Sequence, residues 1–297
     1  MATRRRKKSP AGGGSTFPGG VAVVTDSTAS LSAADAEREG IVVVPLQVVV
    51  GAESFAEGVD VSPEIIAVAL KEYVPVSTSR PNPEEFVEVY RRLADEGAES
   101  IVSVHLSSRM SGTLDSALIA AKESPIPVSV VDSRQVGLAT GFAAGQAARA
   151  RGKGVTAEEI AEIARMAGEG STALIYVDTL DYLRRGGRVG AAAALLGSAL
   201  AVKPLLTITD GLVMPLEKVR TTGKALARMG ALAVEAAEAC EGFDIGVQHL
   251  ANPGVADQVA ERLASTLELE SVPVDEVGAV IGAHVGPGTV AVTVTPH

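Results

Sequence analysis

Apolar residues recur along this chain in two rhythms that alternate through its first half. Short runs rich in β-branched residues, VAVVTDS (21–27), ESIVSVHL (99–106) and IPVSVVDS (126–133), end in polar side chains, as strands buried in a parallel sheet do. Helical segments separate them. LSAADAEREG stops at Gly40, SPEIIAVALKEY opens with Ser62 as cap and Pro63 at its first turn, and NPEEFVEVYRRLADEG repeats that start with Asn82 and Pro83. In the last, Phe86, Val89, Tyr90 and Leu93 make the apolar stripe. A further strand-like region, IVVVPLQVVV, is interrupted at Pro45, which predicts a bend or an edge. A helix is expected from about 113, and LATGFAAGQAARARG adds an Ala/Gly-rich one. This alternation predicts a doubly wound, mostly parallel α/β domain over 21–165.

The second half changes rhythm. After a helix capped by Thr156, KPLLTITDGLVMPLEKVRT places alternating apolar residues on both sides of Asp210-Gly211, a hairpin signal. IGVQHL and GAVIGAHVGPGTVAVTVTP read as further strands, with a helix between them at about 255–268. The expectation is an α+β domain over 166–297. Residues 1–20 lack apolar periodicity and read as a disordered basic tail.

Composition narrows the function. With no Trp, four Tyr and five Phe, stacking surfaces for nucleic-acid bases are scarce. The net charge is −10, yet Arg4 to Lys8 are all basic, so the body is more acidic than the total suggests and no nucleic-acid partner is expected. No apolar segment follows the Arg block as in an export signal, and the uncharged stretch 189–202 is too short to span a bilayer. A lone cysteine, Cys240, fits a reducing compartment, so the protein is expected to be cytoplasmic without stable membrane insertion.

Candidate chemistry gathers at the ends of the predicted strands, where open α/β sheets bind ligands. HLSSRMSGTLDSA holds Ser107, Ser108, Ser111 and Ser116 beside Gly112; Thr25-Asp26-Ser27, Asp132-Ser133 and Thr78-Ser79 add to them. Small hydroxyls near helix starts suit an anion, and each is also an ordinary cap. His284 lies among glycines in GAHVGPG. LRRGGRVG supplies Arg184, Arg185 and Arg188, and Lys203 follows, a set that reads as a cationic rim or as a solvated turn. Ser111 as a nucleophile would need His105, His249, His284 or His297 as base, and MSGTL lacks the G-x-S-x-G elbow. No Walker A sequence, no G-x-G-x-x-G after the first strand and no metal-ligand spacing occur.

Taken in order, VAVVTDSTASL, VSTSRPNPEEF, HLSSRMSGTLDSA, VVDSRQVGLATG, TLDYLRRGGRVG, VKPLLTITDGLVMPLEKVRT and IGAHVGPGTVAV resemble the DegV family of bacterial proteins over residues 21–294. The resemblance implies a two-domain fold enclosing a long-chain fatty acid, with no other cofactor. It also implies service as the non-catalytic, lipid-binding subunit of a fatty acid kinase, whose separate ATP-dependent subunit makes the acyl phosphate. It places the carboxylate-holding residues at Thr78, Ser111 and His284, with Arg188 in support. Ser79 and the backbone at Gly112 would flank the head group, and Arg184, Arg185 and Lys203 would form a rim toward partner or phosphate. Arg80 departs from the pattern, since a smaller polar residue such as Gln is expected after Thr78-Ser79. Rival readings are a serine hydrolase of lipid esters and a lipid sensor without phosphoryl transfer.

Overall fold

The computed structural model describes residues 17–195 and 203–297; the basic block at 4–8 and part of the alanine-rich stretch lie outside them. In chain order the first half contains β1 (Val21–Asp26), α1 (Ala33–Glu39), β2 (Ile41–Val44), β3 (Gln47–Val50), β4 (Glu53–Ala56), α2 (Pro63–Lys71) and β5 (Val76–Ser79). It continues with α3 (Pro83–Asp95), β6 (Ser100–His105), α4 (Thr113–Ala121), β7 (Val128–Asp132), α5 (Leu138–Ala150) and α6 (Ala157–Gly170). The second half contains β8 (Thr172–Tyr176), α7 (Asp181–Arg185), β9 (Lys203–Thr209), β10 (Leu212–Val219), α8 (Thr222–Glu238), β11 (Phe243–His249), α9 (Pro253–Thr266), β12 (Val274–Glu276), α10 (Ala279–Val285) and β13 (Val290–Pro296).

A parallel sheet of order β2-β1-β6-β7 forms the first layer. Both of its faces are covered, and the period of two along β1 shows how. Val21 and Val23 pack on α5 and α6, whereas Ala22 and Val24 face α3 and α4. Every residue of β1 is therefore buried, which is why it reads as an unbroken apolar run. The fold begins slightly before β1: Phe17 packs against the core under α3, and Pro18–Gly20 form one 3-10 turn.

The second sheet, β10-β9-β8-β13-β11-β12, is antiparallel except for the β11–β12 pair. The expected hairpin joins β9 to β10, with Asp210 and Gly211 both at positive φ between Thr209 and Leu212, as a two-residue turn of that hand requires. Helices α8 and α9 bury one face through Leu205, Met229, Val247 and Leu263. The opposite face looks toward the first layer.

One element answers the sequence expectation of a break at Pro45, and one departs from its expected form. IVVVPLQVVV divides at Pro45: β2 joins the parallel sheet, while β3 enters a small antiparallel sheet of order β4-β3-β5. The segment read as a strand at GAVIGAHV is the helix α10. A short apolar run carries no periodicity of its own, so its surroundings decide. Here Ala279, Val280 and Ala283 dock on Leu46, Val48 and Ile66, and the Glu57 carboxylate accepts the Val280 N–H at 2.7 Å. Burial pushes the Glu57 carboxyl above its ordinary range. Docking α10, which lies in the second half of the chain, on the small sheet of the first half brings the two halves together at one point. None of the helices among the described residues is long and apolar enough to cross a membrane.

Candidate functional site

That junction holds a cavity. Its walls come from every layer: Leu46 just before β3 and Thr78 on β5, Leu106 and Ser111 after β6, Ile175 and Leu206 from the second sheet, Ile281 and His284 from α10. Most of the lining is apolar; Thr78, Arg80, Ser111, Arg188 and His284 form one polar group within it, and Thr28, Gln248, Thr289 and Thr293 are polar elsewhere in the wall. Such a concave, mainly apolar site with a few convergent polar groups is the usual form of a small-molecule pocket.

Five of the residues singled out in the sequence line this cavity together: Thr78, Ser79, Ser111, Arg188 and His284. Thr78 Oγ1 lies 2.9 Å from His284 Nε2, a contact between residues 206 positions apart. Ser111 Oγ meets Thr113 Oγ1 at 2.9 Å and accepts the Thr113 N–H at 3.3 Å, which holds the turn into α4. Arg188 donates through Nε to Met110 O and through a terminal nitrogen to Gly186 O, so it ties the glycine turn to the Ser111 loop. Gly112 is not itself part of the wall; its carbonyl accepts from Arg80, which does line the mouth. The three other rim residues stand outside. Arg184 pairs with Asp181, Arg185 stacks over Tyr182, and Lys203 pairs with Asp178 at 2.9 Å.

His284 is neutral here. Burial, and then the charge of Arg188, lower its pKa from the ordinary imidazole value of 6.5 to about 4. A neutral ring has one N–H, and if Nε2 carries it toward Thr78, the Thr78 hydroxyl keeps its own hydrogen for a ligand. The cationic charge on the cavity wall therefore belongs to Arg80 and Arg188, and no Asp or Glu lines it among the described residues. Because the folded value lies below the unfolded one, the folding stability tied to His284 is complete above about pH 6.5 and declines as pH falls toward 4. An imidazole NMR titration should accordingly show no His284 midpoint between about pH 5 and pH 8. A midpoint near 6.5 would mean the ring is solvated.

The other strand-end hydroxyls have structural partners. Ser107 donates to Gly211 O at 2.8 Å and pins the hairpin, Ser108 donates to Asp132 at 2.6 Å, and Ser133 meets Thr140. Asp26 accepts from Thr28 and from the Leu106 N–H, and lies 2.9 Å from His105 Nδ1. His105 Nε2 lies 2.7 Å from Ser103, which in turn meets Tyr90. Ser103, His105 and Asp26 thus have the contacts of a hydrolytic triad, but all three are completely buried and the serine is already engaged. Ser111, the accessible serine, has no imidazole among its hydrogen-bond partners.

Sequence reasoning missed Thr28, Val136 and Gln248 in the wall. Only Gln248 left a signal. It is a polar residue on the cavity-facing alternation of β11, where Ile245 and Val247 point instead into the helical side.

Fold and site define the class: an α/β protein of two domains that bound an apolar cavity, with hydroxyls, a neutral imidazole and guanidinium groups at its mouth. A family profile described as "Uncharacterised protein, DegV family" matches residues 20–297. A DegV domain-containing protein of Streptomyces coelicolor is 52% identical over 276 residues, which cover 93% of this chain and 98% of that one. Among solved structures, a DegV family protein of Thermus thermophilus described as binding fatty acid superposes with a TM-score of 0.86 at 33% identity, covering 93% of this chain and 99% of its own. DegV of Bacillus subtilis, described as a fatty acid binding protein, gives 0.86 at 32% identity, over 95% of this chain and 100% of its own. The chain belongs to the DegV family.

Proposed function

We propose that this protein binds a long-chain fatty acid in the cavity and presents the carboxylate to a separate ATP-dependent kinase subunit, which makes the acyl phosphate. The observation that carries the lipid reading is a mainly apolar cavity in whose wall hydroxyls, an imidazole and guanidinium groups converge around the Thr78–His284 contact. A chain of about fifteen carbons gains on the order of 10 kcal/mol by leaving water, at about 0.8 kcal/mol per CH₂, before association costs. The donors at the mouth then orient the head, because a carboxylate withdrawn from water needs several of them. The Thermus and Bacillus neighbours described as fatty acid binding support the same ligand class.

The non-catalytic role and the kinase partner are what the family resemblance implies. Arg184, Arg185 and Lys203, exposed or partly so and outside the cavity lining, are the groups this reading offers to the partner or to the new phosphate. The serine-hydrolase rival is disfavoured by the lack of a base beside Ser111.

Organic extraction of the freshly purified protein, followed by mass spectrometry, should return close to one long-chain fatty acid per chain. A clean extract would end the lipid reading. Incubating loaded protein with ATP and the cognate kinase subunit should convert the acid to acyl phosphate; lipid that stays unmodified would leave a carrier or sensor in its place.

A further inference from the structure

The Gln248 side chain is almost fully buried in the cavity wall, yet only half of it is used. Its Oε1 accepts the Leu138 N–H at 3.1 Å. That bond fixes the amide orientation, because the backbone N–H can only face the oxygen. Nε2 has no hydrogen-bond partner among the described residues. Two other hydroxyls in the wall are engaged: Thr28 donates to Asp26, and Thr289 donates to Gly286 O at 2.8 Å. A buried amide donor without an acceptor is costly and uncommon, so such a group in a binding site points to an acceptor brought by the ligand.

Its position shows which part of a ligand it reads. Across the second sheet, Gln248 stands in register with Ala291, Ala291 with Ile175, and Ile175 with Leu206. All of them line the cavity, and the last three are apolar. The turn carrying Arg188 packs at the far edge, where Gly190 lies against the Val213 carbonyl on β10. Gln248 on β11 shares no hydrogen bond with Thr78, Ser111, Arg188 or His284, and Ile281 of α10 stands beside its Oε1 at Gly137. The cavity wall next to it is therefore hydrocarbon, made by Ala291, Ile175 and Ile281.

We propose that Gln248 is a specificity-determining residue that selects acyl chains bearing an oxygen acceptor, a hydroxyl or oxo group, within the tail. This rests on the lipid reading above and goes beyond it by naming the tail chemistry. A plain hydrocarbon leaves Nε2 unpaired, whereas a correctly placed oxygen accepts from it. That difference corresponds to about a tenfold preference in affinity.

The test uses delipidated full-length protein and competition against a fluorescent fatty acid. The competitors are hexadecanoate and a series of hydroxyhexadecanoates, with the hydroxyl moved from mid-chain to the terminal carbon. One or two positional isomers should bind about tenfold more tightly than hexadecanoate. Gln248→Met, which keeps the volume and removes the N–H, should lose that preference, read as the ratio of the two affinities in the same preparation, with thermal unfolding as the check on folding. Equal affinity for every isomer and for hexadecanoate in the natural protein overturns the role of Gln248 and leaves the lipid reading intact. A preference that persists in folded Gln248→Met also overturns it. Failure of all the acids to compete or bind overturns the lipid reading itself.

Discussion

Gly286→Ala is expected to destabilise the fold by about 4 kcal/mol, visible as a large fall in the thermal midpoint. Two causes add. Gly286 ends α10 at φ 77° and ψ 166°, a conformation essentially reserved for glycine, and strain of that kind costs about 1–3 kcal/mol. A Cβ there would also stand 2.0 Å from the Tyr182 ring, and overpacking of this order costs about 1–3 kcal/mol more. The double variant with Tyr182→Ala should relieve the clash and leave the strain. Gly230→Ala is the contrasting control. That glycine lies inside α8 with nothing near its missing Cβ, so the change should stabilise by about 0.5–1 kcal/mol. Equal behaviour of Gly286→Ala and Gly230→Ala would show that the α10 terminus is not held as described.

The largest functional effect is expected at the mouth. His284→Ala and Ser111→Ala should each lower acyl-phosphate formation by about 10- to 100-fold, since hydrogen bonds to a charged group contribute about 1.5–3 kcal/mol. Retention of the fatty acid should change much less, because the apolar wall provides most of the affinity. The measurements are turnover with the cognate kinase subunit and lipid content of the same preparations, with thermal unfolding as the check on folding. Unchanged turnover in both variants would remove these residues from the head-group role. His284→Ala also removes the partner of Thr78, so combining it with Thr78→Val should cost less than the sum of the single changes.

That Thr78, Ser111, Arg188 and His284 meet at one cavity was legible because their sequence context is unusual. His284 sits among Gly282, Gly286 and Gly288, of which the last two hold positive φ and the first would press a Cβ on Leu250 at 3.2 Å. Strand β1 and the Asp210-Gly211 hairpin were legible for equally local reasons, since burial on both faces and positive φ each select residue types directly. What stayed hidden depends on contacts distant in sequence. The helical state of α10 comes from the small sheet beneath it and from Glu57, 223 residues earlier than Val280. The small sheet was hidden too, because β4 and β5 are four residues each and half exposed, so their pattern lacks a strong period. The serine cluster misled in part: of its four members only Ser111 reaches the cavity, while Ser107 holds the hairpin of the other domain.

Because the chamber draws its wall from two sheets and from the loops that follow a third, any molecule seated there would tie those layers together. Its binding energy would add to what unfolding must overcome, so occupancy and resistance to unfolding should rise together.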